Sequence, residues 1–236
     1  MRLIMFAALL PLAACGNAFD KDDAGIAGSG TGNTRSYAVA DFTGIRLAGS
    51  DDVEVRVGGG YSVRAEGDAR VLDRLKITRD GATLNVSRRS GPSSGSARVF
   101  VTLPALTEAA IGGSGDMRID RVRGEAFAAR IAGSGDLTIG DVAAGDVDVT
   151  VTGSGNVAAR GQARRLAVRI TGSGGLDAPQ LAARGADVQV VGSGSVRTTV
   201  TGDANVRSVG AGDVDLGPQA RCTVKKAGSG DVRCGR

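Results

Sequence analysis

The chain has 236 residues, 38 of them glycine, with 3% aromatic residues and neither Trp nor His. Without histidine there is no Ser-His-Asp triad, no imidazole general base and no histidine metal site. A formal charge of +4 is only mildly basic, too little to argue for a nucleic-acid partner.

The N-terminus reads MRLIMFAALLPLAACGN. Arg2 precedes an apolar run, residues 3–12, too short to span a bilayer, and small residues then lead to Cys15. That order predicts a secretory signal. Leu12-Ala13-Ala14-Cys15 resembles the lipobox of bacterial lipoproteins. The resemblance implies cleavage after residue 14, a diacylglycerol on the Cys15 thiol and an acylated amine, which together anchor a protein to a membrane. Gly16 follows the cysteine where an Asp would retain an inner-membrane lipoprotein. The sorting rule of that class therefore implies the outer membrane, facing the periplasm or the cell surface. Residues 16–36 are rich in Gly, Asp, Asn and Ser without apolar periodicity, and read as a flexible tether that includes Gly28-Ser29-Gly30. The expected layout is a signal peptide over 1–14, a lipidated cysteine and tether over 15–36, and one domain over 37–236.

The domain begins with a degenerate corner, Gly49-Ser50-Asp51, flanked by Ile45, Leu47, Val53 and Val55. Further strands are expected at 62–65, 75–78, 82–86 and 98–103, with a short helical turn in GDARVLDRLKI and an exposed loop over 88–98. The 64 residues from Gly49 to Gly113 correspond to about three coils of the repeat that follows.

That repeat is Gly-Ser-Gly. Triplets start at Gly113, Gly133, Gly153, Gly172, Gly192, Gly210 and Gly228, at intervals of 20, 20, 19, 20, 18 and 18 residues. Four residues before each first glycine stand Ala109, Ala129, Val149, Val168, Val188, Val206 and Val224; four after stand Met117, Leu137, Val157, Leu176, Val196, Val214 and Val232. Even offsets are mostly apolar and odd offsets mostly polar or small, so each triplet joins two strands. Such a unit cannot bury its own apolar face and must stack on its copies. The predicted fold is all-β: a right-handed parallel β-helix, or β-solenoid, with rungs about 4.8 Å apart. Val122, Val142 and Leu181 are expected to point inward on the third side of each coil.

A phosphate loop would open a helix, whereas strand follows each triplet here. The calcium-binding nonapeptide has the wrong period. The triplet is therefore a corner, with glycine allowing positive φ and close backbone approach and serine hydroxyls available for a ladder. Three residues after each first glycine runs a polar column that includes Asp52, Asp116, Asp136, Asp213 and Asp231. These side chains either cap their own turn or line up to bind a cation. Cys222 and Cys234 lie six residues either side of Gly228, both on inward parity, and an exported protein can oxidise them to a disulfide that staples the last coil. Two free buried thiols are the alternative. Ser208 and Lys226 make the inward column polar towards this end, as a cap would.

The succession DFTGIRLAGSDDVEVRVG, DRLKITRDGATLNV, VFVTLPAL and then serial GSG corners resembles the bacterial GIN-domain family, labelled an autotransporter adhesin head domain. The likeness covers about residues 37–236. It implies a right-handed β-helix, often on a signal-bearing or lipidated protein, and it transfers no catalytic residue, cofactor or metal site. An autotransporter translocator barrel, the other half of that label, is not expected within these 236 residues.

The expected function is a non-enzymatic envelope lipoprotein that presents an adhesive or binding face. One outward column, three residues before each triplet, reads Ala110, Arg130, Thr150, Arg169, Gln189, Arg207 and Lys225. Its cations Arg130, Arg169, Arg207 and Lys225 form a candidate stripe for lipopolysaccharide or another envelope polyanion or glycan; the alternative is a solvated face. A polysaccharide lyase or hydrolase would need a paired-carboxylate mechanism, without aromatic platforms or long loops to wall a cleft. An envelope regulator acting through a protein partner is the third class.

Overall fold

The computed structural model describes residues 25–91 and 95–235. Period-two alternation makes the central sequence extended, and the strands Val122–Gly133, Leu137–Gly153, Asn156–Gly172 and Gly175–Gly192 run in parallel, each over the last. Together with the shorter strands that continue the stack they form a β-solenoid of about six turns. Register is set by the apolar pattern. Ala109, Ala129, Val149, Val168, Val188 and Val206 lie in one column, and none is more than 3% exposed. Each buried valine contributes roughly 1.5–3 kcal/mol of burial, so the core is a bundle of such columns running along the axis. Val122, Val142 and Leu181 are buried as expected.

The rungs differ in length, and the Gly-Ser-Gly corner does not absorb the difference. Register slips instead between Ile139 and Val142, between Ala158 and Arg160, and between Ala178 and Ala182. One corner is therefore fixed and the far one takes up insertions.

The N-terminal third departs from the expected three coils. Gly49 pairs directly with Gly113, so the 64 residues between them leave the stack and return. Leu75–Asp80 and Thr83–Arg88 form an antiparallel hairpin around Asp80-Gly81, where Gly81 has φ +55°. Thr83–Arg88 lies parallel to Gly44–Gly49 and extends one wall below the first rung. Arg98–Leu103 does the same for Asp52–Val57 on the other wall and takes Ser62–Glu66 as an antiparallel neighbour. The physical reason is economy of chain: a hairpin reverses in two to five residues, and the excursion covers the apolar end that a bare first rung would expose to water. The expected helical turn is present at Ala69–Leu72, where the Asp68 side chain accepts from the Arg70 N–H at 2.9 Å.

Two boundaries also move. Thr34–Tyr37 pairs antiparallel with Ser62–Glu66, and Gly28–Ser29 pairs back on Thr34–Tyr37. Residues 25–36 of the expected tether are thus built into the fold, because the free edge of Ser62–Glu66 accepts them and Tyr37 packs down to 6% exposure. The loop expected over 88–98 is shorter than predicted: Arg88 ends a strand, Ala97 is buried and Arg98 begins the next strand. The lipobox, Cys15 and residues 16–24 lie outside the described residues.

At the other end Arg221–Ala227 stacks on Asp203–Gly210. Val224 belongs to the buried valine column yet is 43% exposed, since among the described residues no strand stacks on its far side. Cys222 and Cys234 are joined in a disulfide, which ties the two strands of this last rung together. Lys226 donates to the Gly230 carbonyl at 2.7 Å.

Candidate functional site

The Gly-Ser-Gly corners stack through the main chain. The Gly113 carbonyl accepts from the Ser134 N–H at 2.9 Å and the Gly135 N–H at 3.1 Å, and the Gly133 carbonyl accepts in the same way from Ser154 and Gly155. Gly133 has φ +145°, a region closed to side chains. At Gly135 a Cβ would run into the Gly115 carbonyl below and press on Ile111 Cγ2. The ladder expected of the serine hydroxyls is therefore carried by glycine carbonyls, and the serine side chains face solvent.

The aspartate column caps, but not its own turn. Asp52 accepts from the Asp116 N–H at 3.2 Å, Asp116 from the Asp136 N–H at 3.0 Å, Asp136 from the Asn156 N–H at 2.8 Å, and Asp213 from the Asp231 N–H at 2.8 Å. Each carboxylate holds the backbone of the next rung, a bond strengthened by its charge. Among the described residues, no group of three or more His, Cys, Asp or Glu is placed to hold a metal ion.

Tyr37 and Arg88 have displaced pKa values, and both belong to the N-terminal cap. Burial raises the Tyr37 hydroxyl. The Asp51 carboxylate, hydrogen-bonded to Arg88, raises the guanidinium.

The outward residues that precede the corners build a long side wall. The predicted stripe lies in register along it: Ala110, Arg130, Thr150, Arg169, Gln189, Arg207 and Lys225. Beside it runs a column that sequence reasoning did not single out: Glu108, Ala128, Asp148, Ala167, Asp187, Asn205 and Thr223. Acid and arginine alternate between the two columns, so each arginine meets the acid one rung below. Arg130 bonds Glu108 at 2.5 Å and Arg169 bonds Asp148 at 3.0 Å. The signal was in the sequence, in the two-coil alternation of acidic and basic outward residues.

The alternation continues to Asp187 and Arg207, one rung apart on the same diagonal, but the ion pairing stops there. Asp187 accepts instead from the Asn205 side-chain amide at 3.0 Å. Arg207 and Lys225 have no ion pair or side-chain hydrogen bond among the described residues. The stripe is therefore two unlike halves: Arg130 and Arg169 are ion-paired, while Arg207 and Lys225 make no ion pair among the described residues. A depression of about 350 Å³ opens at the break, lined by Arg165, Arg169, Asp187, Gln189, Asn205 and Arg207. Arg165 and Ala167 also line a second, more apolar hollow of about 610 Å³ further down the wall, floored by Ala126, Phe127 and Ala128.

No curated protein matches the chain. Solved structures share its fold at low identity. A "putative adhesin" from Bacteroides fragilis is 20% identical with a TM-score of 0.77, covering 87% of this chain and 98% of that one. A "putative lipid binding protein" from Parabacteroides distasonis is 21% identical with a TM-score of 0.69, covering 89% and 98%. A "putative adhesin" from the same species is 18% identical with a TM-score of 0.76, covering 88% and 98%. A family model matches residues 41–220, from the first parallel rung to the start of the last, and the chain belongs to the family described as "Putative auto-transporter adhesin, head GIN domain".

Proposed function

We propose that this protein is a non-enzymatic, adhesin-like module of the cell envelope, exported and held at the outer membrane by lipid on Cys15, that binds through its side wall. One observation carries the reading: the register-locked wall ends in a half whose basic residues, Arg207 and Lys225, are left without carboxylate partners. Family membership supports it. A stack of rungs tied by main-chain ladders is stiff, and a stiff wall presents its charges to a partner with little loss of backbone conformational entropy on contact. The shape is open and polar, which suits an extended envelope polyanion or glycan better than a closed catalytic cleft.

The test has two arms. Mass spectrometry of the protein extracted from membranes reads the acyl mass on the Cys15 peptide, and Cys15→Ala moves the protein to the soluble fraction. Full-length protein in detergent is then screened on immobilised envelope extract, with product analysis of the same glycans. Saturable binding without cleavage supports the reading. Release of shortened glycan overturns it in favour of an enzyme.

A further inference from the structure

We propose that the depression between Arg165 and Arg207 is a binding site for a short acidic saccharide, bearing carboxylate or sulfate groups. The proposal rests on the adhesive-wall reading and gives it a position and a ligand class.

The loss of ion pairing at the third diagonal makes the site. In the two lower pairs the acid diagonally under each arginine is ion-paired to it. Here the diagonal acid, Asp187, accepts from Asn205, and Arg207 makes no ion pair with it. Arg165 stands at the opposite edge of the same hollow, likewise without an ion pair or side-chain hydrogen bond among the described residues. The register places Arg165 level with Gly185, and Gln189 level with Arg207 one rung on. The two guanidiniums thus come from rungs two apart, roughly 10 Å along the axis. That is the span of a short saccharide and not of a single small anion.

Between them the floor is polar and mixed. Gln189 offers an amide, Asn205 keeps its side-chain oxygen as an acceptor, and Asp187 accepts. Neighbouring hydroxyls on a sugar ring are both donors and acceptors and need such a set. Guanidinium forks match carboxylate and sulfate geometry. A hollow of about 350 Å³ lies at the small end of the usual range for ligand sites, about 300–1,000 Å³. None of its lining residues is aromatic, so recognition would come from charge and hydrogen bonds instead of ring stacking.

The experiment is calorimetric titration of full-length protein in detergent with three probes: tetragalacturonate, a sulfated heparin tetrasaccharide and neutral maltotetraose. The expected result is saturable binding of one or both acidic probes and none of the neutral one. Arg165→Ala and Arg207→Ala should each weaken binding at least fivefold, Arg207→Lys should recover part of it, and Gln189→Ala should weaken it without changing its salt dependence. Arg130→Ala, whose charge Glu108 already neutralises, should change affinity less than twofold. These residues are exposed, and an unchanged melting temperature shows that each variant is folded. Equal losses for Arg130→Ala and Arg207→Ala would overturn the site by showing diffuse attraction along the wall, and would leave the adhesive reading intact. Failure of the wild type to bind any acidic probe would also overturn the site, while adhesion to envelope extract decides the wider reading separately.

Discussion

Asp51 stands at the corner position that Gly115 occupies one rung later, and its carboxylate is wholly buried against the Arg88 guanidinium. Nε of Arg88 donates to Oδ2 at 2.7 Å, Nη2 donates to Oδ1, and the Ala97 N–H donates to Oδ1 at 2.6 Å. Glycine is required at this corner wherever another rung lies beneath. Beneath the first corner the cap supplies strands on the two walls but no second corner, so a side chain fits, and it ties the cap to the solenoid. Arg88 also donates to the Gly95 carbonyl at 2.9 Å, which draws the two ends of the 88–98 connection together.

Removing one partner of that pair should be costly. Asp51→Ala leaves a cation facing an apolar gap and strands the Ala97 N–H, and the expected loss is about 3 kcal/mol, at the lower end for broken buried pairs because Arg88 keeps some access to water. Urea unfolding reads it as a lower midpoint at unchanged slope. A loss below about 1 kcal/mol would show that the pair does not hold the cap.

The corner predicts opposite responses from adjacent residues. Gly135→Ala places a methyl against the Gly115 carbonyl and Ile111, and should cost about 3 kcal/mol or prevent folding. Ser134→Ala, one residue away and facing solvent, should stay within about 0.5 kcal/mol. Thermal unfolding of the pair separates a main-chain ladder from a hydroxyl ladder.

Reduction should loosen one end only. The Cys222–Cys234 bond spans 12 residues, a loop short enough for a contribution of about 3 kcal/mol. In the reduced protein, or in Cys222→Ser with Cys234→Ser, amide exchange should speed up over residues 221–227. Val149 and Val168, in the middle of the stack, should keep their protection.

Asp148→Asn offers a gain of affinity as a test of the wall. Both partners of the Arg169–Asp148 pair are about half exposed, so the change in stability should be under about 1 kcal/mol. It frees Arg169, which lines the depression beside Arg207, and acidic tetrasaccharides should bind a few-fold more tightly by titration. Weaker binding would mean that Asp148 itself contacts the ligand.

The parallel stack was legible because a twenty-residue period and a period-two alternation both have to hold at once, and few folds meet both. The cysteine pair around Gly228 was legible for an equally local reason, matched inward offsets. The cap was not. Its strands were found, but period two reports a strand without its direction, and counting 64 residues in units of the repeat concealed the Asp80-Gly81 hairpin. Residues 28–37 were hidden by composition, since their order comes from the edge they meet and not from their own apolar content. At the wall, the arginines stood out one column at a time. Whether a charge is free depends on its diagonal neighbour twenty residues earlier, and that becomes visible only when the register is known.

The alternation of acid and arginine has a bearing on how such a protein can lengthen. Neighbouring rungs are interchangeable to the core, where valine stacks on valine, but not to the surface, where odd and even rungs carry opposite signs. Inserting one rung between Asp148 and Arg169 would put a charge over its own kind or out of reach of its partner. Inserting two would restore every diagonal. The surface therefore counts in dimers of the unit that the core counts singly, and the smallest extension that keeps the diagonal pairing is about forty residues.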